Sequence, residues 1–213
     1  MFSTLMLLAR PPDAHQVLMQ RSIDAWLADP SHNTQIVKAV DDEDGQIVGW
    51  ACWVLRDDAQ AKSSPSAPAQ EPGAQTLPPQ PQPSSTPPSD PARALGALMR
   101  ADTTRWEEAY LSSKKTMVLQ ALATAPSHQG RGIGTQLVQW GVDRADAEGL
   151  PCWAHASPAG YALYEPTGFR EVGRCEFDLG EWAPDGGSGE GDGDGRGWGV
   201  YVFRYMMRPG RGL

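Results

Sequence analysis

Between Pro65 and Pro91 lie 10 of the chain's 19 prolines, and from Asp57 to Pro91 the apolar residues are Leu77 and a few alanines among Pro, Ser, Gln and Thr. Such a stretch cannot bury enough apolar surface to offset the entropy of ordering it, and proline neither donates to a ladder nor continues a helix. The fold must come from the blocks on either side. We therefore expect a single domain over 1–213 that carries a disordered Pro/Ser/Gln-rich insert at 57–91 with polyproline stretches. A PxxP-like spacing also admits a ligand for an SH3-type module, a reading that rests on spacing alone.

The flanking blocks show clear periodicity. Phe2–Arg10 is apolar-rich and stops at Pro11-Pro12, as a short strand would. From Asp13, an N-cap residue type, Met19, Ile23 and Trp26 recur at i, i+4 and i+7, which predicts an amphipathic helix ending near Pro30. Ile36–Val40 and Ile47–Leu55 read as strands joined across an acidic, Gly-containing turn, the second apolar enough for a sheet interior. Helical spacing resumes over Ala92–Ser112 through Leu95, Leu98, Trp106, Tyr110 and Leu111, and a strand follows at Thr116–Thr124. Ile133, Leu137 and Trp140 mark the next helix, closed by Gly149 and Pro151. Cys152–Ala156 reads as a strand, Pro158–Glu165 as a short helix, and Phe169–Leu179 and Trp198–Met207 as strands. In 184–197 Gly alternates with Asp and Glu, which suits a flexible loop. The order predicts a mixed α/β sheet.

Eighteen basic against 26 acidic residues give a formal charge of −8. That argues against a nucleic-acid partner, because tracking phosphates requires a net basic surface. Neutral or cationic partners fit better. Cys52, Cys152 and Cys175 are odd in number, far apart and never in a CxxC pair, so neither a disulfide framework nor a zinc site is indicated, and no metal is expected. Leu5–Ala9 is too short for a signal segment, and no run approaches the ~18 apolar residues of a membrane span. The chain reads as soluble and cytoplasmic, with no membrane partner.

The chemistry concentrates in Val118–Thr135, where a strand runs through Ala125-Pro-Ser-His128-Gln-Gly-Arg-Gly-Ile-Gly-Thr135 into a helix. Gly130, Gly132 and Gly134 let successive N–H groups turn into one concavity, and the helix N-terminus adds its positive dipole end. Arg131 supplies charge and Thr135 a hydroxyl, so a diphosphate would be held there. A Walker A loop needs a lysine after the glycines, and none is present. A dinucleotide fingerprint starting at Gly130 would need a small sixth residue, and Thr135 stands there.

Gln129-Gly-Arg-Gly-Ile-Gly134 resembles the Q/R-x-x-G-x-G/A acetyl-CoA signature of the GNAT superfamily of N-acetyltransferases. Ser157-Pro-Ala-Gly160-Tyr-Ala-Leu-Tyr164-Glu-Pro-Thr-Gly168-Phe169 resembles the same family's N-x-x-A-x-x-L-Y-E-K-x-G-F segment, about thirty residues on. Two motifs in the family's order are far more specific than either alone. Gly49-Trp-Ala-Cys-Trp53 and the Ala145–Pro151 segment look most like GNAT proteins of filamentous fungi.

The resemblance implies a GNAT fold, a mixed and mostly antiparallel sheet flanked by helices, and transfer of acetyl from acetyl-CoA to a primary amine by direct attack. The acceptor class it leaves open is a small molecule, a polyamine or a basic peptide. It implies that the N–H groups of Gly130, Arg131, Gly132, Ile133, Gly134 and Thr135 bind the CoA pyrophosphate, with Gln129 beginning the motif. Leu122, Ala123 and Thr124 would pair with the pantetheine amides, and N–H groups freed where that strand is interrupted would polarise the thioester carbonyl. Tyr164 would protonate the departing thiolate and lie against the cofactor. Ser157 replaces the family's Asn, which weakens or removes that contact.

Other departures bear on mechanism. The strand Thr116-Met-Val-Leu-Gln120 lacks the glutamate base that some members carry, leaving Glu107 and Glu108 as candidates. Little room exists between the first helix and Ile36 for the family's second helix, which implies a different acceptor or an open pocket. A non-catalytic acyl-CoA-binding or interaction module is the alternative. His128 reads as a solvated loop residue, and His155, on the strand beside the expected cleft, as a possible substrate contact. Tyr164 also reads as core with its hydroxyl satisfied. The 191–195 Gly/Asp run lacks the ligand pattern of a calcium loop, and Asp41–Asp44 reads as a solvated turn.

Overall fold

Six strands form one sheet in a computed structural model that describes residue 6 and residues 10–57, 90–112, 114–183 and 198–211. The readings of 57–91 as a disordered insert and of 184–197 as a flexible loop lie outside the described residues, apart from the insert's ends. Of the Phe2–Arg10 stretch only Met6 and Arg10 are described. Met6 is helical rather than extended, with its methyl group against Gly96.

In chain order the elements are α1 (Ala14–Leu27), β1 (Thr34–Val40), β2 (Ile47–Asp57), α2 (Pro91–Leu111), β3 (Lys115–Thr124), α3 (Ile133–Ala147), β4 (Cys152–Ala156), α4 (Tyr161–Tyr164), β5 (Arg170–Asp178) and β6 (Val200–Arg208). The strands lie side by side as β1-β2-β3-β4-β6-β5. Only β3 and β4 run parallel; the other neighbours are antiparallel. This is the expected mixed, mostly antiparallel sheet, with β2 in its interior as its apolar run required.

The period of two along the strands divides the core into layers. Ala51, Trp53, Met117, Leu119 and Ala154 pack with Leu137, Val138 and Val142 of α3. Val118, Trp153, Cys175 and Tyr205 point the other way, onto Leu95, Trp106 and Leu111 of α2. Two glycines set how closely the layers approach. A Cβ on Gly141 would fall 2.0 Å from the Trp53 indole, and one on Gly173 would fall 1.9 Å from that of Trp106. Each gap lets a buried indole lie directly on backbone. Making room for Trp53 also turns α3 so that its buried face is Leu137, Val138, Gly141, Val142 and Ala145. Trp140, expected on that face, is left exposed.

Helix boundaries follow local chemistry. Asp90 caps α2 by accepting from the Arg93 N–H at 3.0 Å, and Pro91 opens its first turn, where no N–H is needed. Gly149, at φ +67°, ends α3 in the left-handed conformation that L side chains resist. The Pro158–Glu165 helix is shorter than expected, a single turn at α4 followed by a 3-10 turn at Glu165–Thr167. In α1 no residue is fully buried, because it lies beside β1 at the sheet's edge. Its expected face, Met19, Ile23 and Trp26, is half-buried, with Trp26 6.2 Å from Trp50. No helix separates Leu27 from Thr34. The part of that sheet face over β3, β4 and β6 is not open, since α2 packs against it.

Candidate active site

The parallel pair β3 and β4 is short. Met117, Val118 and Leu119 pair with Cys152, Trp153 and Ala154, and there the pairing stops. Beyond that point β3 stays on β2 as far as Thr124 opposite Gly49, while β4 stays on β6 as far as Ala156 opposite Arg204. The two central strands part like a fork, and the edge of β3 from Gln120 onward is released from its partner. Gln120 itself is a bulge: Cys52 lies opposite Ala121 and Trp53 opposite Leu119, leaving Gln120 as the extra residue. The sequence expectation put the interruption at Leu122–Thr124; the bulge and the end of the pairing with β4 lie a few residues earlier, at Gln120 and Leu119.

The glycine turn follows directly. After a 3-10 turn at Pro126–His128, Gly130 (φ +75°) and Gly132 (φ +81°) take left-handed backbone. A Cβ at either would meet nothing within 4 Å, so the space beside their backbone is open. Gly132 starts α3 without a side-chain cap, which leaves first-turn N–H groups for an anion. Arg131 and Thr135 are exposed at its rim.

Gly134 serves differently. Its missing Cβ would lie 2.7 Å from Leu163, so it lets α3 and α4 meet. Ile133 and Leu122 are half-buried against the α3-side core. Ala123 lies opposite Trp50 and is half-exposed. Gln129 donates its side-chain amide to the Thr124 carbonyl at 3.2 Å and so ties the turn to the end of β3.

His128 is not a solvated residue. Its Nδ1 lies 2.9 Å from the Ser127 hydroxyl and its Nε2 3.1 Å from Asp41 Oδ2, which pins the glycine turn to the β1–β2 turn. The Glu43 backbone N–H and then His128 hold the Asp41 carboxyl below the usual range. Asp41 was therefore misread as merely solvated. No local signal marks a contact between residues so far apart in the chain.

Across the fork, Ser157 accepts the Gly160 N–H on its hydroxyl oxygen at 3.2 Å and opens the α4 turn. The Tyr164 ring is buried, 5.8 Å from that of Phe169. Its hydroxyl has no hydrogen-bond partner among the described residues, so it is not a satisfied core tyrosine. Burial pushes its pKa up and keeps the phenol protonated.

On the α2 face of the fork, His155, Glu107 and Arg56 converge. Glu107 Oε2 accepts from Arg56 at 2.6 Å and Oε1 lies 3.3 Å from His155 Nε2. Burial pushes the Glu107 carboxyl up, but hydrogen bonds with His155 and Arg56 outweigh it and hold the group ionised at neutral pH. Glu108 is exposed and takes no part. Arg56 escaped sequence reading, since its only signal is sharing a strand face with Val54.

All three cysteines are buried thiols outside any disulfide. Burial pushes the Cys52 thiol up to about 11 and that of Cys152 to about 12. Among the described residues no group of three His, Cys, Asp or Glu could hold a metal, and no helix is long and apolar enough to cross a membrane.

Residues 93–169 match the model of the Acetyltransferase (GNAT) family. No curated protein matches the chain by sequence. Arylalkylamine N-acetyltransferase 2 from Aedes aegypti shares the fold at a TM-score of 0.57 and 16% identity, over 98% of this chain and 86% of that one. The ribosomal-protein-S18-alanine N-acetyltransferase from Escherichia coli gives a TM-score of 0.48 at 12% identity, over 91% and 78%.

Proposed function

We propose, for a chain whose residues 93–169 match the GNAT acetyltransferase family, that it moves acetyl from acetyl-CoA to a primary amine by direct attack. The observation that carries this reading is the three-residue pairing of β3 with β4, which opens onto the glycine turn. A released strand edge ending at an uncapped helix N-terminus suits one ligand with amides at one end and a diphosphate at the other. The residues fit that ligand, because the space before Gly130 and Gly132 is clear of protein atoms.

In this reading the N–H groups from Gly130 to Thr135 hold the pyrophosphate, with Arg131 at the rim and Gln129 keeping the turn closed on Thr124. Leu122, Ala123 and Thr124 offer backbone groups to the pantetheine arm. The bulge at Gln120 aims strand N–H groups at the thioester oxygen, where charge develops. The amine lone pair forms the C–N bond as the C–S bond breaks, and the Tyr164 hydroxyl gives its proton to the departing sulfur. Ser157, its oxygen already accepting from Gly160, retains a hydroxyl proton to offer the cofactor. The mosquito protein is an arylalkylamine N-acetyltransferase, and a small amine is accordingly the first acceptor class to try, ahead of polyamines and basic peptides.

The test is the unfolding midpoint with acetyl-CoA, CoA and NADH, followed by free-thiol release with amines. A ligand at ~100 Kd adds about 2.7 kcal/mol to stability. A rise with acetyl-CoA and CoA but not NADH, together with amine-dependent thiol release, is the expected result. No rise overturns the reading. A rise with no thiol release makes the domain a binding module.

A further inference from the structure

His155 is the first residue of β4 beyond its last pair with β3, at the point where the fork opens. Its Nε2 is bracketed by opposite chemistry. The Trp153 indole N–H donates to it from 2.9 Å, while Glu107 Oε1 stands 3.3 Å away with its other oxygen held by Arg56. An indole nitrogen only donates and a carboxylate only accepts. A neutral ring with its proton on Nδ1 therefore accepts from Trp153, and a ring protonated at Nε2 as well donates to Glu107. Each protonation state has a partner at Nε2, whereas a purely structural histidine needs only one.

The remaining neighbours of the ring are aromatic. Phe203 and Tyr205 lie 5.5 Å and 5.6 Å from the ring, and the Tyr205 hydroxyl is committed to Asp102 at 2.6 Å. Among the described residues the charged groups facing this cluster are thus Glu107 and, behind it, Arg56. The His155 and Glu107 side chains keep 23% and 21% of their surface, enough for a molecule in the fork to reach them.

We propose that His155 takes the proton of the acceptor amine, a role that rests on the acetyl-transfer reading. An ammonium entering the fork is drawn to the Glu107 carboxylate, and its proton passes to the Nε2 lone pair as the Trp153 indole N–H gives up its hydrogen bond there. The N–H electron pair stays on the amine nitrogen as the lone pair that attacks the thioester carbon. The imidazolium donates Nε2–H to Glu107 and returns the proton to water after the products leave. Glu107 is a positioning residue that stabilises the charged ring.

The experiment compares wild type, His155→Gln and Glu107→Gln with a phenylalkylamine, a polyamine and a lysine peptide, measuring kcat, KM and acetyl-CoA affinity across pH. His155→Gln should lower kcat about 100-fold and abolish the acid limb of kcat/KM, with acetyl-CoA affinity held within about twofold. Glu107→Gln should move that limb toward lower pH, since the imidazolium loses its counter-ion. Nitrogen NMR of wild type should show the neutral ring protonated at Nδ1 and titrating over the same range, a readout independent of whether the variants fold. Wild-type turnover with an unchanged limb in either variant, or a ring that does not titrate, overturns the proposal and leaves the acetyl-transfer reading standing. A wild type that releases no thiol with any of the three amines overturns both.

Discussion

At the scale of single residues, the site rests on atoms that are absent or unspent. Gly132 has no Cβ, and its φ of +81° would cost any L residue about 1–2 kcal/mol. Gly132→Glu adds a carboxylate to the anion cradle as well, so calorimetry should show acetyl-CoA binding lost; retained affinity would move the cofactor elsewhere. Tyr164 keeps a buried ring and an unpartnered, protonated hydroxyl. Tyr164→Phe should lower kcat about 100-fold while changing acetyl-CoA affinity less than about threefold, and equal turnover in a steady-state assay would remove it from proton transfer. The sequence singled out both residues because each sits in a short motif, and their roles here are those of the proposed reaction. The contacts of His155 with Glu107 and of His128 with Asp41 were not. Each joins residues far apart in the chain, and neither strand period nor helix period brings them to notice.

Secondary-structure elements were legible wherever a period met a clear stop. β4 is Cys152–Ala156 as read, and α3 ends where Gly149 and Pro151 require. The reading failed at Trp140, which periodicity put inside and which Gly141 leaves outside by letting α3 lie on the Trp53 indole. That close approach makes a prediction about the element as a whole. Gly141→Ala would set a methyl 2.0 Å from a fully buried ring, so α3 must lift off β2. Such overpacking costs about 1–3 kcal/mol, which chemical denaturation would measure; an unchanged midpoint would mean that the helix shifts freely. Because α3 also carries the glycine turn, the same variant should weaken acetyl-CoA binding without touching the ligand. Also illegible was the fork itself: β3 reads as one continuous strand, and nothing in its residues says that pairing with β4 ends at Leu119.

For the molecule as a whole, acid is the expected weakness. Hydrogen bonds from Thr34 and Ser31 bring the Asp29 carboxyl down to about 2, and Arg208 lowers that of Asp146 through contacts at 2.6 and 2.8 Å. Carboxyls depressed in the fold add stability above their unfolded value near ~4 and lose it as pH falls through the folded one. The unfolding temperature should therefore hold between about pH 7 and 5 and fall steeply between about 4 and 2; a midpoint level down to pH 3 would contradict this. Chain connectivity carries a further consequence. The ladder from Gly49–Thr124 to Asp57–Lys115 joins the halves on either side of the long insert, and closing a loop twice as long costs only about 0.6 kcal/mol more. What holds the halves together is thus the ladder and the core beneath it, not the peptide that links them. Residues 1–57 and 90–213, made as two polypeptides, should co-purify and release thiol only when combined. On the acetyl-transfer reading, thiol release then becomes a reporter of whether two partners fused to the halves have met.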